Sequence, residues 1–586
     1  MLRISGLSAW LCGAVLFGAA SWGVGANEIA DTIFLDAQIY TANTKTPDAE
    51  AMAVNQGRLL AVGKSDQILQ YRGPETRVLS LGHRRVMPGL IDAHSHAIFA
   101  GLAALAPNLE DRELSPLELS QQLQRWLVEK GDGFDAPMVV FGVNPAVWSE
   151  PESLSVLLDA GPWQTHPLLL MGSDYHTAWA NQAMRERAGI DVAYVRSLPA
   201  QARHTVGLAR NGQPNGVLVD AGLDGVTVIL PKPDEKQLLA AARIAVETNN
   251  RYGITAWMDP AANAGPGEAL FSRPPGSVGE GILPAYRALS EAGLFTAHVA
   301  ALLVASPESD AADLGRLDSV RKQFGHIPNL SLPGIKVFAD GVLEYPAQSA
   351  ALLGHYENSG EQGELLLEQT RMMQLVDAID QRGWLVHIHA LGDRAVRVSL
   401  DAIESARMKR SSGVPHSITH LQLVSPVDYP RFKKLDVMAV MQLHWAELDN
   451  YLIDLVKPYI SDGEFQGQYP ARSLQRHGAV IVGASDWPIS TANPWEAMHH
   501  AMTRLGPDGG LNAGERMDRD SMFKAYTIHA ARAIRLDHEI GSLEVGKQAD
   551  FVVLDRDVLE VDVEALKETR VLETYFAGRR VYSAAP

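Results

Sequence analysis

The chain has 586 residues, of which 46% are hydrophobic and 20% charged, so it has ample apolar material for a large globular core. Its 51 basic and 69 acidic side chains give a net charge of −18. That balance argues against a protein that binds the phosphate backbone of nucleic acid, and against one that docks on an anionic membrane.

A secretory signal peptide is predicted for residues 1–26. Arg3 gives a positive start, residues 4–24 are apolar and rich in alanine and glycine, and Val24–Ala26 is typical of a cleavage site. An uncleaved membrane anchor is the alternative, since the apolar run approaches spanning length. The only cysteine, Cys12, lies in this segment, so the mature chain can form neither a disulfide nor a cysteine-ligated zinc site. We expect a periplasmic or secreted protein.

Short strands broken by turns are predicted at both ends of the mature chain. Strand-rich ends that flank a long centre indicate one small β-sandwich domain, built from residues 27–88 and 540–586. The predicted strands are Thr32–Tyr40, Ala51–Val54, Arg58–Val62, Arg77–Leu81, Phe551–Leu554, Val571–Phe576 and Arg579–Tyr582.

Eight short apolar runs recur in the centre of the chain, residues 89–539, and the first of them begins slightly earlier, at Val86. Helical patterns fill several of the gaps, as at Glu235–Tyr252, Thr370–Arg382 and Asp393–Arg407. Buried strands that alternate with helices predict an α/β fold, a (β/α)₈ TIM barrel. The eight runs are Val86–His96, Gly253–Asp259, Phe295–Val304, Pro333–Asp340, Trp384–His389, Ile418–Leu423, Val437–His444 and Ala479–Asp486.

Side chains that can bind metal stand at the ends of five of these runs. His94 and His96 are two residues apart, so strand geometry would point both to one face. An H-x-H pair alone is more often a surface or hydrogen-bonded pair. Because the active sites of such barrels lie at the carboxyl ends of the strands, five converging ends indicate a metal site. The candidate ligands are His94, His96, Lys336, His389, His420 and Asp486.

The gap between the first two strands, residues 97–252, is far longer than one helix needs. It is predicted as an inserted lid or substrate subdomain on the active-site face. Within it, Ser173–His176 follows a strand-like run at Pro167–Met171. The Gly/Pro-rich stretch Ala261–Pro284 is predicted as a long functional loop on the same face.

Seven motifs, in chain order over nearly the whole mature sequence, match one known family. In them the chain resembles the amidohydrolase superfamily of metal-dependent hydrolases, and more closely its branch of YtcJ-like proteins and N-substituted formamide deformylases (amidohydrolase family 3). The motifs are A-V-N-Q-G-R-L-L-A-V-G, V-M-P-G-L-I-D-A-H-S-H, G-I-K-V-F-A-D-G, H-I-H-A-L-G-D-R-A-V, I-T-H-L-Q-L-V, G-A-S-D-W-P and I-G-S-L-E-V-G-K-Q-A-D-F-V-V-L-D.

The resemblance implies two divalent ions, with zinc as the expected metal, although some members of the superfamily keep one ion. His94 and His96 would bind the more buried ion, and His389 and His420 the more exposed one. His387 faces the same way as His389, so strand alternation leaves the choice between them open. His389 is chosen because it lies nearer the strand end and begins H-A-L-G-D.

Lys336 and Asp486 complete the implied site. Lys336 would bridge the ions as a carbamate formed with CO₂, because two cations would repel an ammonium group. Asp486 would ligate the buried ion, accept the proton of an attacking water and pass it to the leaving nitrogen. The expected reaction is hydrolysis of a carbon–nitrogen bond other than a peptide bond.

His176 and Trp487 are the candidate substrate contacts. His176 belongs to the insertion that overhangs the mouth and has a purely structural role as its alternative, and Trp487 adjoins Asp486. Trp445 and Trp257 also lie near strand ends, and each of these tryptophans has packing as its alternative role. The branch commonly has a proline after the glutamine of M-Q-L-H (441–444), so the pocket there departs from the family pattern.

Two other functions stay open. The first is a deaminase, or a hydrolase of cyclic amides or lactones, that uses the same metals. The second is a non-catalytic regulatory or binding protein, since similar proteins have been described as regulators of exoenzyme production; the complete ligand set argues against it. The expected partners are a small-molecule substrate and a second copy of the chain, but neither nucleic acid nor, once the leader is removed, a membrane.

Overall fold

The computed structural model describes residues 29–130, 136–198, 200–271, 273, 276–410 and 412–585. The predicted signal peptide, residues 1–26, lies outside the described residues. Within the described ranges, no helix has the length and apolar character needed to cross a membrane.

Eight parallel strands form a nearly closed barrel, as predicted. Strands pair in chain order from the first to the eighth, and a 3.1 Å hydrogen bond from Ala93 N to Gly483 O joins the two ends of the sheet. Each predicted apolar run overlaps one barrel strand. The barrel strands are Leu90–Asp92, Ile254–Asp259, His298–Val304, Leu330–Phe338, Leu385–Ala390, Ser417–His420, Met438–Met441 and Val480–Gly483.

The first predicted run is divided between two sheets. Its start belongs to a strand of the terminal sheet, Arg77–Pro88, and only Leu90–Asp92 pairs within the barrel. Gly89 separates the two, because the chain passes so close to the second barrel strand that a Cβ would lie 2.1 Å from Thr255 Oγ1. The two histidines of this run therefore lie beyond the end of a strand, which corrects the expectation that they project from one.

The two ends of the mature chain meet in one eight-stranded mixed sheet, the terminal sheet. Arg77–Pro88 pairs in parallel with Thr32–Tyr40 and antiparallel to Phe551–Leu554. The terminal sheet thus joins the start of the barrel to the end of the chain. Its strands are Thr32–Tyr40, Asp48–Ala49, Ala51–Asn55, Arg58–Gly63, Arg77–Pro88, Phe551–Leu554, Val571–Phe576 and Arg579–Ser583.

The long insertion after the first barrel strand carries a sheet of five strands. Met138–Val143 and Leu168–Gly172 pair in parallel, and the other pairs are antiparallel. Three buried tryptophans, Trp148, Trp163 and Trp179, belong to its separate core. The five strands are Met138–Val143, Leu168–Gly172, Thr177–Ala180, Val206–Leu208 and Pro214–Val219.

Helices occupy most of the gaps between barrel strands. Glu235–Arg251 begins where predicted, because Asp234 and Gln237 each accept a hydrogen bond from the other's backbone N–H. The α-helices are Ser65–Ile68, Ala97–Ala104, Pro116–Lys130, Pro151–Leu158, Gln182–Ala188, Val192–Ser197, Ala221–Thr227, Glu235–Arg251, Leu283–Glu291, Ala311–Phe324, Gln369–Asp380, Asp393–Lys409, Tyr429–Leu435, Asn450–Leu455, Asp462–Gln466, Ala471–Arg476, Pro494–Thr503, Arg519–Ala525, Ile528–Ala533 and Val563–Leu566.

Apolar side chains fill the barrel interior beneath the strand ends, as is usual for this architecture. The polar side chains at the carboxyl ends of the strands therefore lie at a mouth above a closed apolar floor. The floor is formed by Ile91, Ala93, Ala256, Met258, Ala300, Leu302, Leu385, Met438, Val440, Val482 and Ala484.

Candidate metal centre

His94, His420 and Asp486 come together at the mouth of the barrel. All three side chains are buried, and one ligand atom of each lies within 4.8 Å of those of the other two. His94 Nε2 lies 3.2 Å from Asp486 Oδ1, and His420 Nδ1 lies 3.8 Å from Asp486 Oδ2. Imidazole nitrogens and a carboxylate are the donors by which Zn²⁺ and similar divalent ions are held.

His420 supplies a test of whether the residues fit a metal ion. The side chain is 3% exposed, and within the described part of the chain neither ring nitrogen has a hydrogen-bond partner. Buried polar groups are nearly always hydrogen-bonded, so a histidine left in this way needs another partner. A divalent ion provides it, and the cluster is a metal-binding site.

The electrostatic surroundings of the cluster favour the protonation states in which these side chains bind a metal ion. Burial alone would raise the pKa of Asp486, but the imidazoles of His94 and His96 hold that pKa well below its usual range. Burial lowers the pKa of His94 to about 3, with a further contribution from Lys336. An ionised carboxylate and neutral imidazoles are the forms that bind a metal ion.

His96 and His389 border the same cluster. His96 Nε2 lies 3.4 Å from Asp486 Oδ1. The ring centroid of His389 lies 4.4 Å from that of His420, and His389 Nε2 lies 3.2 Å from the carbonyl oxygen of Gly341. The structure therefore brings every predicted histidine ligand to one mouth, with His389 turned partly towards a backbone carbonyl.

Lys336 lies two residues before the end of the fourth barrel strand, lines the same mouth and is 1% exposed. Its Nζ lies 4.9 Å from the ring centroid of Phe338, and no carboxylate of the described residues lies within ion-pair distance. Burial lowers the pKa of the amine to about 7, against an opposing effect of Asp486. With that pKa, about half of the Lys336 amines are uncharged at neutral pH.

His387 belongs to a hydrogen-bonded chain behind the cluster. His387 Nε2 lies 2.7 Å from His94 Nδ1, and His387 Nδ1 lies 2.7 Å from Ser417 Oγ. This chain fixes the ring of His94 so that its other nitrogen points to Asp486, as partners of ligating histidines commonly do. Strand alternation puts His387 and His389 on one face, and only the three-dimensional contacts distinguish them.

Asp92 ties the loops after the first and eighth barrel strands together. It is 1% exposed and accepts hydrogen bonds from the backbone N–H groups of His94 and Ser485 and from the hydroxyl of Ser485. These hydrogen bonds fix the positions of the two loops that carry His94 and Asp486 relative to each other. Sequence reasoning missed this role, although the aspartate stands within the L-I-D-A-H motif.

The inserted subdomain contributes His176 to the mouth. Its Nδ1 lies 2.6 Å from Asp220 Oδ1, and its ring centroid lies 5.3 Å from that of His389. Burial opposes the charged form, but Asp220 raises the pKa of His176 overall. Asp220 was not predicted, because it stands 44 residues further along the chain and no local pattern links the two.

A cavity of about 350 Å³ opens above the cluster, within the range of small-molecule sites. His176 lines it, whereas Trp487 does not, and Pro488 and Ile489 form the wall at that point. Trp445 also lines the cavity and stacks on His420, with 5.9 Å between ring centroids. The insertion and the loop after the second strand supply most of the apolar wall, namely Phe99, Val139, Phe141, Met171, Tyr175, Leu223, Leu230, Leu270, Phe271 and Ile282.

Carboxyl groups form another part of the wall. Asp111, Glu344, Glu447 and Asp449 all line the cavity. Burial raises the pKa of Asp111 to about 6, of Glu344 to about 7 and of Glu447 to about 8, and their carboxyl neighbours add to the effect. The cavity lining thus combines apolar side chains with several carboxyl groups.

Comparison with known proteins gives consistent matches over most of the chain. The model of the amidohydrolase family matches residues 77–582. Protein LONG AFTER FAR-RED 3 of Arabidopsis thaliana is 28% identical over 94% of this chain and 92% of its own length. N-substituted formamide deformylase of Arthrobacter pascens is 25% identical over 94% and 98%. A metal-dependent hydrolase of Pyrococcus horikoshii, known as a crystal structure, superposes with a TM-score of 0.67 at 23% identity, over 91% and 99%.

Proposed function

The chain belongs to the amidohydrolase family, and we propose that it hydrolyses a carbon–nitrogen bond other than a peptide bond in a small molecule of amide or formamide type. The observation that carries the proposal is the buried His94–His420–Asp486 cluster at the floor of a ligand-sized cavity. The similarity to N-substituted formamide deformylase over nearly the full length of both chains supports the choice of bond.

Six residues would hold two divalent ions, most suitably zinc given the histidine-rich donor set. When bound, such ions polarise a carbonyl group and lower the pKa of a water molecule. The proposed ligands are His94, His96, Lys336, His389, His420 and Asp486, with Lys336 acting as a carbamate formed from CO₂. The burial of Lys336 without an anionic partner supports the carbamate, and electron density beyond Nζ in a crystal structure would test it.

Asp486 is proposed to move the proton. Because its pKa is held low, the carboxylate is ionised and can accept a proton from the attacking water. It then gives that proton to the nitrogen of the leaving group as the carbon–nitrogen bond breaks. His387 contributes indirectly, by holding the ring of His94 against the same carboxylate.

The cavity walls suggest how the substrate lies. His176, fixed by Asp220, faces the mouth and is placed to hydrogen-bond a polar group of the substrate next to the bond that breaks. The apolar wall from the insertion would receive a hydrophobic or aromatic substituent. Trp487 stays a candidate contact, for a substrate that extends beyond Pro488.

A hydrolysis screen with metal analysis tests the proposal. Purified protein would be assayed for bound metal and for turnover of N-substituted formamides, acyclic amides, cyclic amides, lactones and aminopurines. We expect bound divalent metal and turnover among the first two classes. Turnover confined to the last three would favour the alternative enzymes, and bound metal without turnover of any class would favour a binding protein.

Export is proposed from residues 1–26, and the intact mass of the protein purified from a secreting bacterial host tests it. We expect a mature chain that begins near Asn27 and is recovered outside the cytoplasm. A full-length mass with the protein in the membrane fraction would instead favour an anchor. Size-exclusion chromatography with light scattering on the same sample would test the proposed homodimer.

A further inference from the structure

A second group of metal-competent side chains lies in the cavity wall, apart from the catalytic cluster. His444, Glu447 and His500 each offer a ligand atom within 4.8 Å of the other two. His444 and Glu447 follow the seventh barrel strand and line the cavity, whereas His500 belongs to the helix Pro494–Thr503. The three therefore come from two separate elements that meet at the cavity wall.

The two imidazole rings of this group have the separation found in the catalytic cluster. The ring centroids of His444 and His500 are 4.7 Å apart, and those of His94 and His420 are 5.1 Å apart. Glu447 Oε1 lies 3.4 Å from His500 Nδ1. The group is as compact as the one that the family relationship identifies as a metal site.

His500 is held as a ligating histidine usually is. Its Nδ1 donates a hydrogen bond of 2.9 Å to the backbone carbonyl of His444. That bond places the ring hydrogen on Nδ1, the nitrogen beside Glu447, and leaves Nε2 as the atom of His500 that can bind a metal ion. Ligating histidines commonly donate their other ring N–H to a carbonyl or carboxylate in this way.

His444 has a buried nitrogen without a partner. Its Nδ1 makes no hydrogen bond to any residue that the structure describes. Burial lowers the pKa of His444 to about 3, and His500 adds to the effect, so the ring is neutral and carries a free lone pair. An orphaned buried nitrogen beside a carboxylate and a second imidazole is a place where a cation would be stabilised.

Carboxyl groups outnumber cationic groups around Glu447. Burial raises its pKa to about 8, the carboxyl groups of Asp449 and Glu496 raise it further, and only Lys567 opposes them. A divalent ion beside Glu447 would supply the missing counter-charge and favour the ionised carboxylate. Among the three side chains, it is thus His444 whose nitrogen lacks the partner that a bound cation would provide.

We propose that His444, Glu447 and His500 form an accessory site for a divalent transition-metal ion of the Zn²⁺ type in the wall of the substrate cavity. Two histidines and one glutamate are a donor set that zinc accepts, and three protein ligands leave a fourth position for water or for an anionic group of a ligand. Trp445, the residue after His444, stacks on His420 of the catalytic cluster.

Zinc binding by the full chain tests the proposal. Chelator-stripped protein would be equilibrated with Zn²⁺ alone, and bound zinc would be counted by mass spectrometry and by competition with a chromophoric chelator. We expect Glu447→Gln and His500→Asn each to bind about one ion per chain less than the wild type. Equal counts with equal affinities in all three proteins would overturn the proposal.

Matched controls separate loss of a ligand from a general disturbance. Glu496→Gln removes a neighbouring carboxylate on the same helix as His500, while its amide can keep the bond to Asn493. His477→Asn removes an exposed histidine elsewhere. Both controls should bind as many ions as the wild type, and His420→Ala should lose zinc at the catalytic cluster but keep the accessory ion.

Anomalous diffraction from zinc-soaked wild-type crystals tests the site without any substitution. A peak between His444, Glu447 and His500 is expected, in addition to density at the catalytic cluster. Anomalous density at the catalytic cluster alone would overturn the proposal even if the variants fail to fold. The accessory site does not depend on the proposed reaction, so an inactive protein with this peak would still bear it out.

Discussion

The carboxylate of Asp486 lies within 4 Å of three imidazoles, those of His94, His96 and His420. The backbone φ of Asp486 is +58° and that of His420 is +78°, a left-handed conformation that non-glycine residues adopt at a cost. Both residues lie at or just after the end of a barrel strand, where the chain must turn so that the side chain enters the mouth. The function of the site therefore depends on single side chains that neighbours from distant parts of the chain hold in position.

Asp486→Asn should keep the metal and lose turnover. The amide preserves the size and one oxygen but cannot accept a proton, so kcat on any substrate found in the screen should fall about 10²–10⁴-fold. Metal content and steady-state kinetics measure the two effects separately. Asp508→Asn, at an exposed position, serves as the control, and unchanged kcat in Asp486→Asn would rule out the proton-transfer role.

Asp380 is the residue whose loss should most affect stability away from the site. Its carboxylate is fully buried and accepts hydrogen bonds from His416, Ser412, Arg407 and Arg410. Burial alone would raise its pKa, but the bonds from His416 and Ser412 hold that pKa well below its usual range. The folded state therefore binds this proton less readily than the unfolded chain does.

Asp380→Asn should lower the free energy of unfolding by about 3 kcal/mol at neutral pH, because it leaves buried donors and a guanidinium unmatched. The folded pKa lies below the unfolded value of about 3.9, so the carboxylate stabilises the fold above pH 4 and progressively less below it. Urea midpoints of variant and wild type should thus converge as the pH falls below 4. Asp377→Asn, three residues earlier on the same helix and partly exposed, should cost about 1 kcal/mol or less.

An element could be predicted where its local sequence is distinctive, and was missed where only packing contacts define it. The buried strands were predicted because short apolar runs with polar ends are distinctive. The helix Glu235–Arg251 was predicted because its capping residues are equally distinctive. Gly89 was missed as the division between two sheets, because the close approach of Thr255 depends on contacts that no local pattern shows.

The same limits apply to the candidate site. The ligand set was accessible because each member lies at or near the carboxyl end of a barrel strand, and these ends converge in a barrel. His500 and Asp220 were not predicted, since one lies on a helix and the other in the insertion, and each meets its histidine partner only in three dimensions. Period-two alternation could not separate His387 from His389 either.

Gly101 sets the distance between two helices that flank the mouth. It lies in the helix Ala97–Ala104, which starts directly after His96 and packs on Glu235–Arg251. A Cβ at Gly101 would lie 2.1 Å from the backbone carbonyl oxygen of Ala241. Backbone cannot yield as a flexible side chain can, so a larger residue must move the helix.

Gly101→Ala should lower the free energy of unfolding by about 1–3 kcal/mol and reduce turnover by displacing His96. Gly315→Ala is the matched control, since Gly315 also lies in a helix but has open space where a Cβ would be. There the substitution should be neutral or stabilise by about 0.4–1 kcal/mol. Chemical denaturation of both variants measures this, and similar midpoints for the two would contradict the argument.

The whole molecule should depend on its metal for stability as well as for activity. An ion that binds the folded state alone stabilises it by an amount that grows with its free concentration, about 2.7 kcal/mol at one hundred times the dissociation constant. Dialysis against a chelator should therefore lower the thermal midpoint and abolish turnover, and added Zn²⁺ should restore both. A chelator-treated protein with unchanged midpoint and activity would contradict the metal assignment.

The hydrogen bonds from Ser485 to Asp92 link positions 393 residues apart. Contacts of such sequence separation form late, because a long loop must close before they can be made. A ribosome-bound chain that has not yet emitted residue 486 lacks one wall of the metal centre, whatever the state of its first half. A nascent chain that ends before Asp486 is therefore expected to be inactive, whatever metal is supplied.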